Sequence, residues 1–202
     1  MKPAYHRAIT EQALHAFLPP ETLNIILRAN LGQDALRYQI GHDHFHYDNN
    51  AFAAADAYVE QMRQSARRAF QRGESDQAWQ FFGRLTHTVQ DFYAHSDYVA
   101  RWREQTPGGE PAQIPAYPAS GFEGNLRSGR LYYPLEILSF LPPLRPLILP
   151  LLPRNSHAWM NLDDPGQPNF DFAFAAAVKH TALEYHQIES YNQPHGHKNS
   201  TD

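Results

Sequence analysis

Gly83-Arg84-Leu85-Thr86-His87-Thr88-Val89-Gln90-Asp91-Phe92-Tyr93-Ala94-His95-Ser96-Asp97-Tyr98 lies within a helix that the sequence predicts from Asp76 to about Arg103, with Ser75 placed to cap it. His87, Asp91 and His95 fall at i, i+4 and i+8, so one helix face carries three metal-capable side chains. Phe82, Leu85, Val89 and Phe92 form an apolar stripe roughly opposite, about 160 to 200 degrees away at 100 degrees per residue. On periodicity alone the His-Asp-His stripe is a solvated face. As a ligand set it needs partners from elsewhere in the chain.

On both sides of this stretch the pattern is helical. Ile9, Ala13, Leu14 and Phe17 lie at helical spacing in residues 4 to 18, and Pro19-Pro20 ends that helix and can open the next. An alanine-rich helix runs to Phe70, with Asn49 or Asn50 as its N-cap and Gly73 just past its end. Residues 105 to 130 carry Pro, Gly and Ser without periodicity and predict a long surface loop. Asn169 or Asp171 opens a last helix that runs to about Tyr191. The expectation is therefore an all-α chain, with one helical domain over residues 1–192 and a polar flexible tail over 193–202.

Composition fits one packed domain: 202 residues, 42% hydrophobic and 19% charged. The net charge of -4 argues against stable nucleic-acid binding, which draws on clustered Lys and Arg. With no cysteine, any zinc site must use imidazole and carboxylate. Met1-Lys2-Pro3-Ala4-Tyr5-His6 lacks the basic-then-apolar run of a secretory signal, so the sequence predicts a cytoplasmic protein, or a secreted or periplasmic one whose leader has been removed.

The twelve histidines are the outlying feature of the composition. His42-Asp43-His44-Phe45-His46-Tyr47-Asp48-Asn49 concentrates three of them in eight residues, a local excess of metal ligands that a surface His cluster would also produce. The last helix is apolar nearly all round, so His180 and Glu184 lie in or beside the interior, as a metal pair or as a hydrogen-bonded core pair. His6 and Asp34 stand at helix ends, where a cap or dipole partner is the ordinary reading. Residues 131–153, LYYPLEILSFLPPLRPLILPLLP, contain six prolines and Arg145 and so are not a membrane span. They form either an apolar cover over the core or a surface that makes peripheral contact with a membrane.

Taken in order, His6, Asp34, His46, His87-x3-Asp91, His95 and His180-x3-Glu184 resemble the zinc-dependent phospholipase C and S1/P1 nuclease superfamily over nearly the whole chain. The stretch from Gly83 to Tyr98 and His46-Tyr47-Asp48-Asn49 look closest to its phospholipase C-like branch, and the Asp-Asn pair favours His46 over His44. The resemblance implies a single-domain, multi-helix fold with long loops and a cleft holding two or three zinc ions. It implies one site of Asp34, His46, His87 and Asp91, and a second of His95, His180 and Glu184. Asp91 would bridge to a third metal shared with His6, which in the family is completed by an amino-terminal residue, usually Trp; Met1 stands there in this chain.

The activity implied by the resemblance is that of a phosphodiester hydrolase, most similar to phospholipase C, that uses a metal-bound hydroxide with Asp34 as the catalytic carboxylate. Its substrate would be a phospholipid or another phosphodiester. A single-strand nuclease, with Tyr93, Tyr98, Trp102 or Trp159 for base stacking, and a non-catalytic helical protein stapled by zinc are the alternatives. His157 is a spare ligand or a substrate contact in this scheme.

Overall fold

A computed structural model of the chain describes residues 1–38, 40–119 and 125–192. The expected tail over 193–202, with His195 and His197, lies outside the described residues, as does part of the 105–130 loop. Among the described residues the regular structure is helical, with two isolated β-bridges and no strand. The helices are α1 (Pro3–Leu14), α2 (Pro20–Leu31), α3 (Phe52–Gln71), α4 (Ser75–His95), α5 (Tyr98–Gln105), α6 (Leu135–Ser139), α7 (Arg145–Ile148), α8 (His157–Met160) and α9 (Phe170–Ile188). The all-α expectation holds.

The helix ends follow local chemistry. Pro3 and Pro20 sit in the first turns of α1 and α2, where the missing N–H costs nothing. Gly73 takes a left-handed conformation at φ 77 just beyond α3, as a glycine past a helix end does. Asn49 and Asn50 depart from expectation. Neither caps α3, which begins after Ala51 without a side-chain cap. Both are left-handed, at φ 53 and 58. Asn49 Oδ1 accepts from Leu131 N at 2.8 Å and Asn50 Oδ1 from Ser128 N at 2.7 Å. The two asparagines thus hold the extended 128–131 segment beside the turns at 43–50.

The predicted helix to Arg103 breaks after His95. Ser96 is extended, its hydroxyl donates to Phe92 O at 2.6 Å, and Gly129 N–H takes up His95 O at 3.0 Å. A serine that satisfies the backbone with its own side chain competes with helix continuation.

α4 is the central element, packed by α2, α3 and α9. Every residue from Leu85 to His95 is buried, so its polar stripe is not a solvated face. Periodicity assumes burial on one side, and a helix surrounded by others escapes that assumption. One core cluster gathers Leu14, Ile26, Trp79, Phe82 and Tyr185; another gathers Phe92, Tyr93, Tyr98, Trp102 and Phe172. Each such side chain contributes about 1.5–3 kcal/mol on burial. Part of the expected surface loop also belongs to this core: Ile114 is fully buried and Tyr117 stacks on Phe92.

Residues 131–153 do not cover the core. Tyr133, Ile137, Phe140, Leu141, Leu147 and Leu151 are exposed. Among the described residues no helix is long and apolar enough to cross a membrane.

Candidate metal centre

Asp91 is the hub. It is 1% exposed, and its position on α4 aims the carboxylate at the Met1 amine, His6 and His46 from outside the helix as well as at His87 within it. Oδ2 lies 2.9 Å from His46 Nδ1 and 3.0 Å from His87 Nε2. Oδ1 lies 3.2 Å from His6 Nε2 on α1 and accepts from the Met1 amine. Asp34, in the turn Gly32–Asp34 after α2, reaches to 3.7 Å from His87 Nε2.

One helical turn on, His95 Nδ1–H donates to the His46 carbonyl at 2.8 Å. That bond turns Nε2 inward, 3.2 Å from Asp163 Oδ1, 3.3 Å from His157 Nε2 and 3.4 Å from the Met1 amine. Asp48 Oδ1 approaches His95 Nδ1 at 3.4 Å and His157 Nε2 at 3.9 Å. His157 is drawn close by Gly129, where a Cβ would meet His157 Cα at 2.5 Å.

Among the described residues, three sets of ligand atoms lie close enough to share an ion: His6, Asp34 and His87; His46, His87 and Asp91; and Asp48, His95 and His157. Their donor chemistry, imidazole nitrogen and carboxylate oxygen, suits zinc and similar divalent metals. Two buried atoms that face the cluster, His6 Nε2 and Asp48 Oδ1, have no hydrogen-bond partner. Each such atom costs about 1–3 kcal/mol if left unpaired, so the cluster fits a bound cation. The supporting groups fit as well: His6 Nδ1–H donates to Gln90 Oε1 at 2.7 Å, which leaves Nε2 as the inward lone pair.

Burial opposes ionisation of Asp91, but the Met1 amine, His87, His95 and His6 outweigh it and hold its carboxyl well below the usual range. Burial likewise opposes charge on the Met1 amine, yet Asp91, Asp163 and Asp34 raise it to about 11. His87 is pushed down to about 4 by burial, against the pull of Asp91. Its ring is therefore neutral near pH 7, the form that binds metal.

The expected grouping of Asp34, His46, His87 and Asp91 comes together, and His6 joins it. His46 is the buried member of its segment; His44 is half-buried, packing on Phe45 and Tyr58. His95 arrives too, with different partners from those expected. His180 and Glu184 are not brought to the cluster. Both oxygens of Glu184 accept from Arg63 on α3, at 2.9 and 2.7 Å. His180 Nδ1 meets Tyr93 Oη at 2.9 Å. An arginine supplies the positive charge there that a metal would otherwise bring. Asp48, Asp163 and the core role of His157 were missed. The signal for Asp48 was present, two residues after His46; Asp163 and His157 stand in short segments without periodicity.

This centre opens into a cleft of about 410 Å³ whose other walls are Lys2, Pro3 and the apolar run of Ile40, Leu131, Tyr133, Ile137 and Phe140. A family model described as VWA7 N-terminal domain matches residues 5–107. The match takes in His6, Asp34, His46, Asp48, His87, Asp91 and His95, and spans half of the chain, which therefore belongs to that family. No curated protein and no solved structure matches the chain.

Proposed function

We propose that this member of the VWA7 N-terminal domain family is a zinc-dependent phosphodiester hydrolase with a phospholipase C-like fold and reaction. The observation that carries the reading is the convergence of five histidines and four aspartates, His46, His95, His157, Asp34, Asp48, Asp91 and Asp163 lining one cleft and His6 and His87 buried directly behind them. Two or three zinc ions bound there would neutralise charge on a phosphoryl group and acidify water. His6, Asp34, His46, His87 and Asp91 would hold one part of that metal set, and Asp48, His95 and His157 the other.

The chain's own groups have distinct tasks. Asp34 is the most open carboxylate of the cluster, with a side chain 26% exposed at the cleft, and its oxygens take the proton of the attacking water. Gln90 and the His46 carbonyl fix the rings of His6 and His95. Ile40, Tyr133, Ile137 and Phe140 exclude water from the mouth and offer an apolar wall to the substrate.

That wall supports a lipid phosphodiester over a nucleic acid. Tyr93, Tyr98 and Trp102 are buried in the core and offer a base no open stacking face, and Arg154 occupies one face of the half-buried Trp159 at 3.8 Å. The outer surface of residues 131–153 supports peripheral membrane contact in the same way. Its only two charged residues turn inward: Glu136 accepts from Ala158 N and Tyr132 N, and Arg145 donates to Ala158 O.

Metal analysis of protein purified without added zinc, with assays on phosphatidylcholine vesicles and single-stranded DNA, tests the reading. Stoichiometric zinc and vesicle hydrolysis are expected; protein without zinc would sink it. Zinc without turnover on either substrate would favour a stapling role for the metal. Asp34→Asn should retain most of the zinc and lose about 100-fold or more in rate; unaltered hydrolysis removes Asp34 from the mechanism.

A further inference from the structure

Four of the chain's 17 basic side chains, Arg101, Arg127, Arg130 and Arg154, line one cleft of about 900 Å³. The clustering stands against a net charge of -4. Asp97 is the one carboxylate in the lining, and both of its oxygens are committed, Oδ2 to Arg101 Nε and Oδ1 to Arg127 N, each at 2.8 Å. Arg154 Cζ sits 3.8 Å from the centroid of the Trp159 ring, a cation–π contact that holds its guanidinium beside the cleft. Arg127 and Arg130 are exposed, and no carboxylate among the described residues pairs with either side chain.

The backbone holds these arginines in place. Arg127 O accepts from Asp97 N at 2.8 Å, and Arg130 N donates to Asn155 O at 2.9 Å. Bridges Ser96–Ser128 and Arg130–Ser156 fasten the same segment to two neighbours. Asn50 and Asn155 also line the cleft, with side-chain oxygens already taken by Ser128 N and Tyr132 Oη, so their amide N–H groups are the atoms left to offer. Beside the apolar Leu126 and Met160, the lining therefore presents donors from Arg127, Arg130, Arg154 and these amides, while Arg101 is already engaged by Asp97 and Asn125 O.

We propose that this cleft is a binding site for a phosphorylated ligand, distinct from the metal centre. Like-charged guanidiniums gathered on a fixed framework repel one another until an anion joins them, and the planar fork of arginine matches phosphate oxygens two at a time. The ligand chemistry is a phosphate monoester or pyrophosphate group, carried by a free compound or by a lipid headgroup. This inference does not depend on the hydrolase reading.

The test is a titration of the full chain with inorganic pyrophosphate, followed by calorimetry and by backbone amide shifts. Saturable binding is expected, with shifts at Arg127–Arg130 and Asn155. Arg127→Ala/Arg130→Ala, at two exposed positions, should weaken it tenfold or more without moving the thermal midpoint. Vesicles carrying phosphatidylinositol bisphosphate that compete with pyrophosphate identify a headgroup as the source; vesicles that do not compete identify a free phosphate compound. Affinity unchanged in the double variant, no saturable binding, or shifts confined to residues around Asp34, His46 and Asp91 would each overturn the proposal.

Discussion

Gln90 immediately precedes the hub carboxylate and is itself fully buried. Its Oε1 accepts from His6 Nδ1 and from Asn30 Nδ2, at 2.7 and 3.2 Å, and its Nε2 donates to Thr10 and Thr181 Oγ1, both at 3.1 Å. One side chain therefore orients the candidate ligand His6 and ties α1, α2 and α9 to α4. Gln90→Leu should weaken zinc binding about 10- to 100-fold, as loss of a ligand's supporting bond does. Calorimetric zinc titration checks this, and an unaltered affinity would remove Gln90 from the support of His6.

Glu184 behaves differently at the same scale. The hydrogen bonds of His180 and Arg63 overcome burial and lower its carboxyl to about 2. A depressed carboxyl stabilises the fold above its unfolded value, near pH 4.5, and that stabilisation fades as pH falls toward 2. Glu184→Gln should cost about 3 kcal/mol at pH 7, with the gap to the parent narrowing below pH 4.5 in thermal melts. Its zinc content should be unchanged. A fall in bound zinc would return Glu184 to the ligand set.

At the scale of elements, the approach of α2 to α4 is set by Gly83. A Cβ there would lie 2.3 Å from Ile26 O and 2.8 Å from Ala29 Cβ. The first contact is with backbone, which cannot swing aside. Gly83→Ala should therefore destabilise the chain by about 2–3 kcal/mol, and by roughly 2–4 °C in midpoint for each kcal/mol. A midpoint within 1 °C or so of the parent would mean that α2 can retreat freely. The break at Ser96 works at this scale too. It ends α4 at His95 itself, the last of the candidate ligands on that helix, and lets the 127–131 segment bring Gly129 against His157.

For the whole molecule, cations at the floor of the cleft would tie together α1, the turns at 32–34 and 43–50, α4, α8 and the segment before α9. Chelation should lower the thermal midpoint by several degrees, and excess zinc should restore and then raise it with concentration, since a ligand bound only by the folded state stabilises by mass action. A midpoint indifferent to chelator and zinc would argue against a resident metal. The exposed apolar face over residues 131–153 is also a property of the whole surface. Ile137→Ser/Phe140→Ser should reduce vesicle sedimentation of the chain while leaving its zinc content intact; undiminished sedimentation would count against membrane contact through this face.

Helical class and the end of α3 could be read from residue types and spacing, because proline and glycine punctuation acts locally; His46, His87 and Asp91 stood out as candidate ligands through their order along the chain and the resemblance it carries, since periodicity alone made the α4 stripe a solvated face. The sequence also determined that any metal must be held by nitrogen and oxygen, since it has no thiol to offer. Tertiary structure alone decided which ligands meet. His95 and His157 are 62 positions apart, and the 128–131 segment makes them neighbours, since Gly129 N–H donates to His95 O and Arg130 O accepts from His157 N. His180 and Glu184 kept the spacing of a metal pair, but α3 set Arg63 against them. A local pattern states what a side chain can bind; the packing of distant helices determines which partner reaches it first.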